Sequence, residues 1–240
     1  MNKIVALIAV CFVAIQAANV VNVVRDGKLE GAADDVKELY YKLLEKLGEA
    51  ITGANNTMNE ALDAAKAYAV EVETAAKAEI QSTLDSFQAQ LDELNQKAKD
   101  AGIDITECRK YETQFTQLPD TLMDEIVACV NQQISKAQSE INSAMNTAMA
   151  IQQDYYNIEK EIDDCGSGWK AVTCLAELSV KIADDTIEGP SKISDNVNNT
   201  VTIIQNAWPE IKQCATNAVE KAPSQAAQIV KDFAVCCAIP

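Results

Sequence analysis

Two long stripes of apolar residues at helical spacing constrain the fold of this chain more than any other feature. The first stripe consists of Met58, Leu62, Ala65, Ala69, Val72, Ala76, Ile80, Leu84, Phe87, Leu91, Leu94 and Ala98. The second consists of Leu122, Ile126, Val130, Ile134, Ala137, Ile141, Met145, Ala148, Ile151, Tyr155, Ile158 and Ile162. This spacing is typical of helices that pack along one another. We therefore expect two long antiparallel helices, joined through residues 101–120, with Pro119 opening the second.

Shorter helices are predicted before and after this pair. They are expected at residues 34–51, 169–186 and 193–208, and after Pro223. Gly53 and the Gly189–Pro190 dipeptide are expected to stop helices, and Pro209 is expected either to kink a helix or to start a new one. With only eight glycines and five prolines, the composition favours helix nearly everywhere. The sequence thus predicts an all-α fold, an elongated bundle of long antiparallel amphipathic helices.

The first seventeen residues have the features of a secretory signal peptide. Lys3 precedes an apolar run at residues 4–15, and Ala17 and Ala18 are small enough for signal peptidase. The run is too short for a membrane span, and no later stretch is apolar for long enough. We therefore expect residues 1–17 to be removed, together with Cys11, which leaves a secreted, extracellular protein without a membrane span.

Seven cysteines remain after this cleavage, and all lie beyond residue 107. They are Cys108, Cys129, Cys165, Cys174, Cys214, Cys236 and Cys237. Cysteines in an oxidising compartment form disulfides, although sequence alone does not fix their pairing. Residues 18–103 are accordingly predicted to form a helical, coiled-coil-like arm, and residues 104–240 a helical domain stapled by disulfides. Cys165 and Cys174 flank a Gly-Ser-Gly turn, where a local bridge could form.

Adjacent cysteines end the chain, and the count of seven is odd. Cys236 and Cys237 are not expected to bond to each other, because the small ring would distort the peptide bond between them. One of them should close an intrachain bridge, with Cys214 as a candidate partner. The other would be the odd thiol or a link between subunits. A homodimer through this cysteine or through a helix seam is therefore a candidate assembly.

The order of the cysteines resembles that of the TsetseEP-type family of secreted insect proteins. One cysteine precedes a long helix that contains Cys129, Cys165 and Cys174 flank a short turn, and Cys214 precedes a terminal cysteine. The resemblance covers about residues 104–237 and rests on spacing. The second terminal cysteine and the lack of Glu-Pro repeats depart from the family. Membership would imply a helical, cysteine-bearing insect protein with no assigned activity.

Two triplets match the pattern for N-glycosylation. Asn55 and Asn198 each begin an Asn-Asn-Thr sequence without proline. A glycoprotein with sugars at either position would fit the predicted secretion.

Side chains suited to catalysis or metal binding are scarce. The chain has no histidine, so a hydrolytic triad or a zinc site would lack its usual members. Adjacent aspartates occur at residues 34–35, 163–164 and 184–185, and they are expected to solvate helix ends rather than act together. Trp169 and Trp208 lie on apolar stripes and are expected to anchor the core. We therefore expect no catalytic residue, no metal and no cofactor, and a protein that is not an enzyme.

The charge balance bears on the partner. Lysine and arginine number 20 against 36 aspartates and glutamates, a net charge of -16 that would repel nucleic acid. The expected function is that of a secreted, non-enzymatic helical protein acting by binding or assembly in an extracellular fluid. The alternative is a carrier of lipid or another small hydrophobic ligand, since amphipathic helices can enclose an apolar cavity.

Overall fold

The computed structural model describes residues 31–237, and these residues fold as long helices connected by short turns. The helices are α1 (Ala32–Asp100), α2 (Arg109–Asp154), α3 (Ile158–Asp164) and α4 (Trp169–Cys236), and a 3₁₀ turn covers Thr106–Cys108. No strand occurs in this part of the chain. The predicted all-α fold is therefore confirmed. The predicted signal peptide lies outside the described residues.

The described residues form two compact units that do not follow chain order. Unit 1 contains residues 31–60 and 139–202, and unit 2 contains residues 61–138 and 203–237. Segments of α1, α2 and α4 contribute to each unit. The sequence-based boundary between residues 103 and 104 separates consecutive stretches instead, so the two divisions describe different groupings of the chain.

The two predicted stripes meet in the core of unit 2. Members of the first stripe from Leu62 to Ala98 are buried or half-buried, as are the members of the second stripe from Leu122 to Ala137. α4 adds Ile211, Ala218 and Phe233 to this core. Asn95, near the end of α1, donates a hydrogen bond of 2.7 Å to Glu112, near the start of α2. This contact fits the antiparallel arrangement that the sequence predicts.

Unit 1 has its own core, to which every helix contributes. Leu43 and Leu47 of α1, Ile162 of α3 and Ile182 of α4 are all buried. Lys37 pairs with Asp163 at 2.7 Å. Ion pairs between helices at this exposure contribute little stability, so the apolar contacts hold the unit together.

The predicted ends of the shorter helices are wrong. Gly53 lies inside α1, and Gly189 and Pro190 lie inside α4. Pro209 and Pro223 also lie inside α4, so neither starts a new helix. A single glycine costs about 1 kcal/mol in a helix and a proline about 3 kcal/mol. Tertiary burial of an amphipathic face supplies most helix stability and outweighs these local costs.

The predicted bounds of the second long helix are also wrong. α2 begins at Arg109, so Pro119 lies within it rather than opening it. Phe115 and Leu118 are buried beside the proline and hold this turn against the core. At the other end α2 stops at Asp154, and a turn at residues 155–157 precedes α3.

Candidate binding surface

Between residues 31 and 237, three disulfides connect the helices and turns, and two of them lie in unit 2. They join Cys108 to Cys236, Cys129 to Cys214 and Cys165 to Cys174, with Cα–Cα distances of 5.7, 5.8 and 5.6 Å. The local bridge at the Gly-Ser-Gly turn therefore forms as the sequence suggested. Cys214 is not the partner of the terminal pair, because it is bonded to Cys129 on the facing helix.

Cys237 is the free cysteine among those described, and it is buried in the core of unit 2. Its side chain is 2% exposed, and burial raises the pKa of its thiol, with a smaller contribution from the nearby Glu112 carboxylate. A protonated, buried thiol reacts slowly, because the thiolate is the reactive form. A homodimer linked through this cysteine stays a prediction, and the burial of Cys237 does not support it.

Side chains that bind metals do not converge in the described residues. No group of three or more cysteine, aspartate and glutamate side chains between residues 31 and 237 is arranged to hold a metal ion. Asp34 and Asp35 lie in the first turn of α1, at a helix end as expected. Asp163, near the end of α3, is paired with Lys37.

Asp185 departs from the prediction, because the pair at residues 184–185 lies in the middle of α4 rather than at a helix end. Its Oδ2 atom is buried without a hydrogen-bond partner, and burial raises the pKa of its carboxyl group. Burial also raises the pKa of Tyr155, and the charge of Asp185 raises it further. The sequence alone does not distinguish the two aspartates, because Asp184 is the same residue type and is exposed.

Three tyrosines gather around Glu159 of α3. Tyr41 donates a hydrogen bond of 2.9 Å to Glu159 Oε1, and this bond raises the pKa of Tyr41. The rings of Tyr40 and Tyr41 lie 5.5 Å apart. Burial raises the pKa of Tyr40, and the charge of Glu159 and then Tyr156 add to that shift. Tyr40 is buried, whereas Tyr41 and Tyr156 expose about half of their surface, at 52% and 53%.

The two tryptophans lie in different environments. Trp208 is half-buried and stacks on Tyr68 at 4.8 Å between ring centroids, which confirms its expected packing role. Trp169, the first residue of α4, is 81% exposed, so its predicted place in the core is wrong. Tyr41, Tyr156 and Trp169 are the exposed aromatic side chains in the described part of unit 1. We call these three residues the aromatic surface; Tyr41 and Tyr156 lie around Glu159, and Trp169 follows α3 in the chain.

A shallow groove of about 260 Å³ runs between α1 and α4 in unit 1. Buried apolar side chains form its floor and exposed polar side chains form its rim: Ala54, Ile193 and Val197 in the floor, and Thr57, Ser194 and Asn198 at the rim. None of the described residues that line the groove carries a charge. This distinguishes the groove from the rest of a strongly acidic chain.

Both candidate glycosylation sites are exposed on helices of unit 1. Asn55 lies on α1, where its Oδ1 accepts a hydrogen bond of 3.0 Å from Asn59. Asn198 lies on α4. The threonine of its triplet, Thr200, is buried and donates to the backbone of Asn196 at 2.9 Å. Both acceptor amides can therefore carry a sugar without disturbing the core.

Comparison of the chain with protein-family models, with curated proteins and with solved structures gave no match. Within residues 31–237, no helix combines the length and hydropathy needed to cross a membrane. Among the described residues, the aromatic surface and the groove are two features that a partner could contact.

Proposed function

We propose that this chain is a secreted, non-enzymatic protein that binds a partner in an extracellular fluid through the aromatic surface. The observation that carries the proposal is the exposure of Tyr41, Tyr156 and Trp169 beside well-packed cores. Isolated apolar residues at a surface are common, but large aromatic side chains are enriched where proteins bind one another.

The chemistry of these side chains suits recognition. Tyrosine and tryptophan present a large apolar face with a polar atom, and they lose little conformational entropy on binding. The hydrogen bond from Tyr41 to Glu159 restricts the orientation of the Tyr41 ring, and the ion pair of Lys37 with Asp163 is a second contact between α1 and α3. Such preorganisation reduces the entropic cost of association.

Export is part of the proposal and has separate support. Three disulfides are typical of an oxidising compartment, and the two glycosylation triplets fit the same route. We include membership of the TsetseEP-type family in the proposal on the basis of cysteine order and helical content.

The test is the native mass of the protein purified from the fluid into which it is secreted. We expect the wild type to carry the additional mass of a bound partner, and Trp169→Ala and Tyr156→Ala to lose that mass. Val70→Ala is the matched control, because Val70 is an exposed apolar residue of unit 2 outside the aromatic surface. A bare single chain in the wild-type sample would contradict the proposal.

The alternative of a lipid carrier has less support. The groove in unit 1 is open and has a polar rim, whereas a carrier needs an enclosed apolar cavity. The long apolar stripes contribute to packed cores rather than to a cavity wall. Titration of the delipidated protein with a fluorescent fatty acid would distinguish the two, since saturable binding would favour the carrier.

A further inference from the structure

We propose that Asn198 carries an N-linked glycan and that the first sugars of this glycan lie in the groove between α1 and α4. The inference rests on the proposed export of the protein, because the glycan is attached only in the secretory pathway. It goes beyond that proposal by naming the modified residue and the occupant of the groove.

The position of the acceptor carries the inference. Asn198 lines the groove from α4, and Thr57, the last residue of the other triplet, lines it from α1. The fold therefore brings two triplets that are distant in sequence to one surface feature. Asn55 does not line the groove, so the two acceptors differ in their surroundings although both are exposed.

The glycan is attached by a group transfer. The Asn198 side-chain nitrogen attacks C1 of the N-acetylglucosamine that is bonded to the diphosphate of a lipid-linked oligosaccharide. A C–N bond forms, the bond from C1 to the diphosphate oxygen breaks, and the amide nitrogen releases one proton. The lipid diphosphate leaves, and no oxidant or reductant takes part.

The chemistry of the groove suits a neutral sugar. The chain has a net charge of -16, yet the groove is lined by uncharged side chains. Its apolar floor can contact the C–H face of a sugar ring, and the Thr57 and Ser194 hydroxyls at the rim can exchange hydrogen bonds with sugar hydroxyls. Because the glycan is tethered at the rim, its effective concentration at the groove is high.

The experiment measures how fast a peptide N-glycosidase releases the glycan from Asn198 under native conditions, in the wild type and in two variants of the groove. The full chain is secreted from a eukaryotic cell line, with residues 1–17 replaced by a signal peptide known to work, so that a failure of the chain's own export is scored separately. Release is followed at Asn198 and at Asn55 by mass spectrometry of peptides.

Two variants fill the groove from opposite walls. Gly53→Leu adds a side chain on α1, where a Cβ at Gly53 would meet no atom within 4 Å, and Ser194→Leu adds one on α4. If about nine-tenths of the glycan is seated, release from Asn198 should be about tenfold slower in the wild type than in either variant. Release from Asn55, where occupied, should not change.

The native difference should also disappear after the protein is denatured. An unmodified Asn198 in the secreted protein would overturn the inference. So would equal native release in wild type and both variants, or slow release from Asn198 that persists in the denatured chain.

Discussion

At the scale of single residues, Gly189 is a close contact inside unit 1. A Cβ at this position would lie 2.8 Å from Cδ2 of Leu47, a fully buried side chain that would have to shift. We expect Gly189→Ala to lower the free energy of unfolding. Overpacking costs about 1–3 kcal/mol, and this outweighs the gain of about 1 kcal/mol in helix propensity.

Gly48→Ala is the matched control for this prediction. Its Cβ would meet no atom within 4 Å, so the variant should gain up to about 1 kcal/mol from helix propensity alone. Urea unfolding of the two variants measures the difference. Equal stabilisation by both would show that Leu47 yields without cost.

Asp185 should make the stability of unit 1 depend on pH. Burial raises the pKa of this carboxyl group in the folded protein, against the charges of Lys181 and Lys192, which lower it. The folded state therefore binds the proton more tightly than the unfolded state. The contribution of Asp185 to the free energy of unfolding is therefore most favourable below its unfolded pKa. This contribution is lost as the pH rises through its folded pKa.

Asp185→Asn should accordingly raise the melting temperature at pH 7, because the amide carries no charge that burial would penalise. The gain should shrink as the pH falls toward the ordinary aspartate value of about 3.9. Thermal melts followed by circular dichroism across this range measure the effect. Asp184→Asn, at the exposed neighbour, is the matched control for the loss of one negative charge. A gain at Asp185 that is constant with pH would refute the assignment.

At the scale of elements, the positions of helices followed from the sequence better than their ends did. The period of the stripes identified the buried faces of α1 and α2, because burial repeats with the helical turn. The predicted helix ends at Pro119, Gly53 and Gly189 were wrong. These residues disfavour helix locally, but burial of the amphipathic face favours it, and a single sequence does not show how strong that burial is. Their positions mark turns in many proteins, but here packed neighbours hold the helix through them.

The candidate site was less predictable than the fold. Trp169 lies on a stripe pattern that suggests burial, yet the turn after Cys165 places it at the start of α4 and in solvent. Asp185 differs from Asp184 by one helical step, and that step decides which carboxylate is buried. Distant pairings such as Cys108 with Cys236 depend on the packing of helices, which spacing along the chain does not fix.

The disulfides should differ in their contribution to stability according to the loop that each closes. Cys108 and Cys236 are 128 residues apart, and Cys165 and Cys174 are 9 apart. The intact Cys129–Cys214 bridge shortens the first loop to roughly 45 residues, so loop closure entropy predicts about 4 kcal/mol for the first bridge and about 3 kcal/mol for the second.

Unfolding of the paired alanine variants in urea tests this order. Cys108→Ala with Cys236→Ala should lower the free energy of unfolding more than Cys165→Ala with Cys174→Ala. The reverse order would mean that the turn between α3 and α4 contributes more than chain entropy.

At the scale of the whole molecule, the charge and the cysteines bear on association. A net charge of -16 disfavours contact between like copies except where apolar groups meet. The aromatic surface supplies such groups, whereas Cys237 is enclosed in the core of unit 2. Association should therefore be non-covalent and sensitive to changes at Trp169 or Tyr156.

Whether the thiol of Cys237 is free or bonded to a second chain tests the prediction of non-covalent association. We expect the denatured, non-reduced protein to have the mass of a single chain. We also expect its free thiol to resist a maleimide in the native state, because burial raises the pKa of Cys237 and blocks access. Unfolding without reductant should expose one reactive thiol, and Cys237→Ala should abolish that reaction while leaving native association unchanged. A denatured mass of two chains that falls to one on reduction, and that Cys237→Ala also reduces to one, would instead place this cysteine between subunits. The core around Phe233 would then have to open when two copies meet.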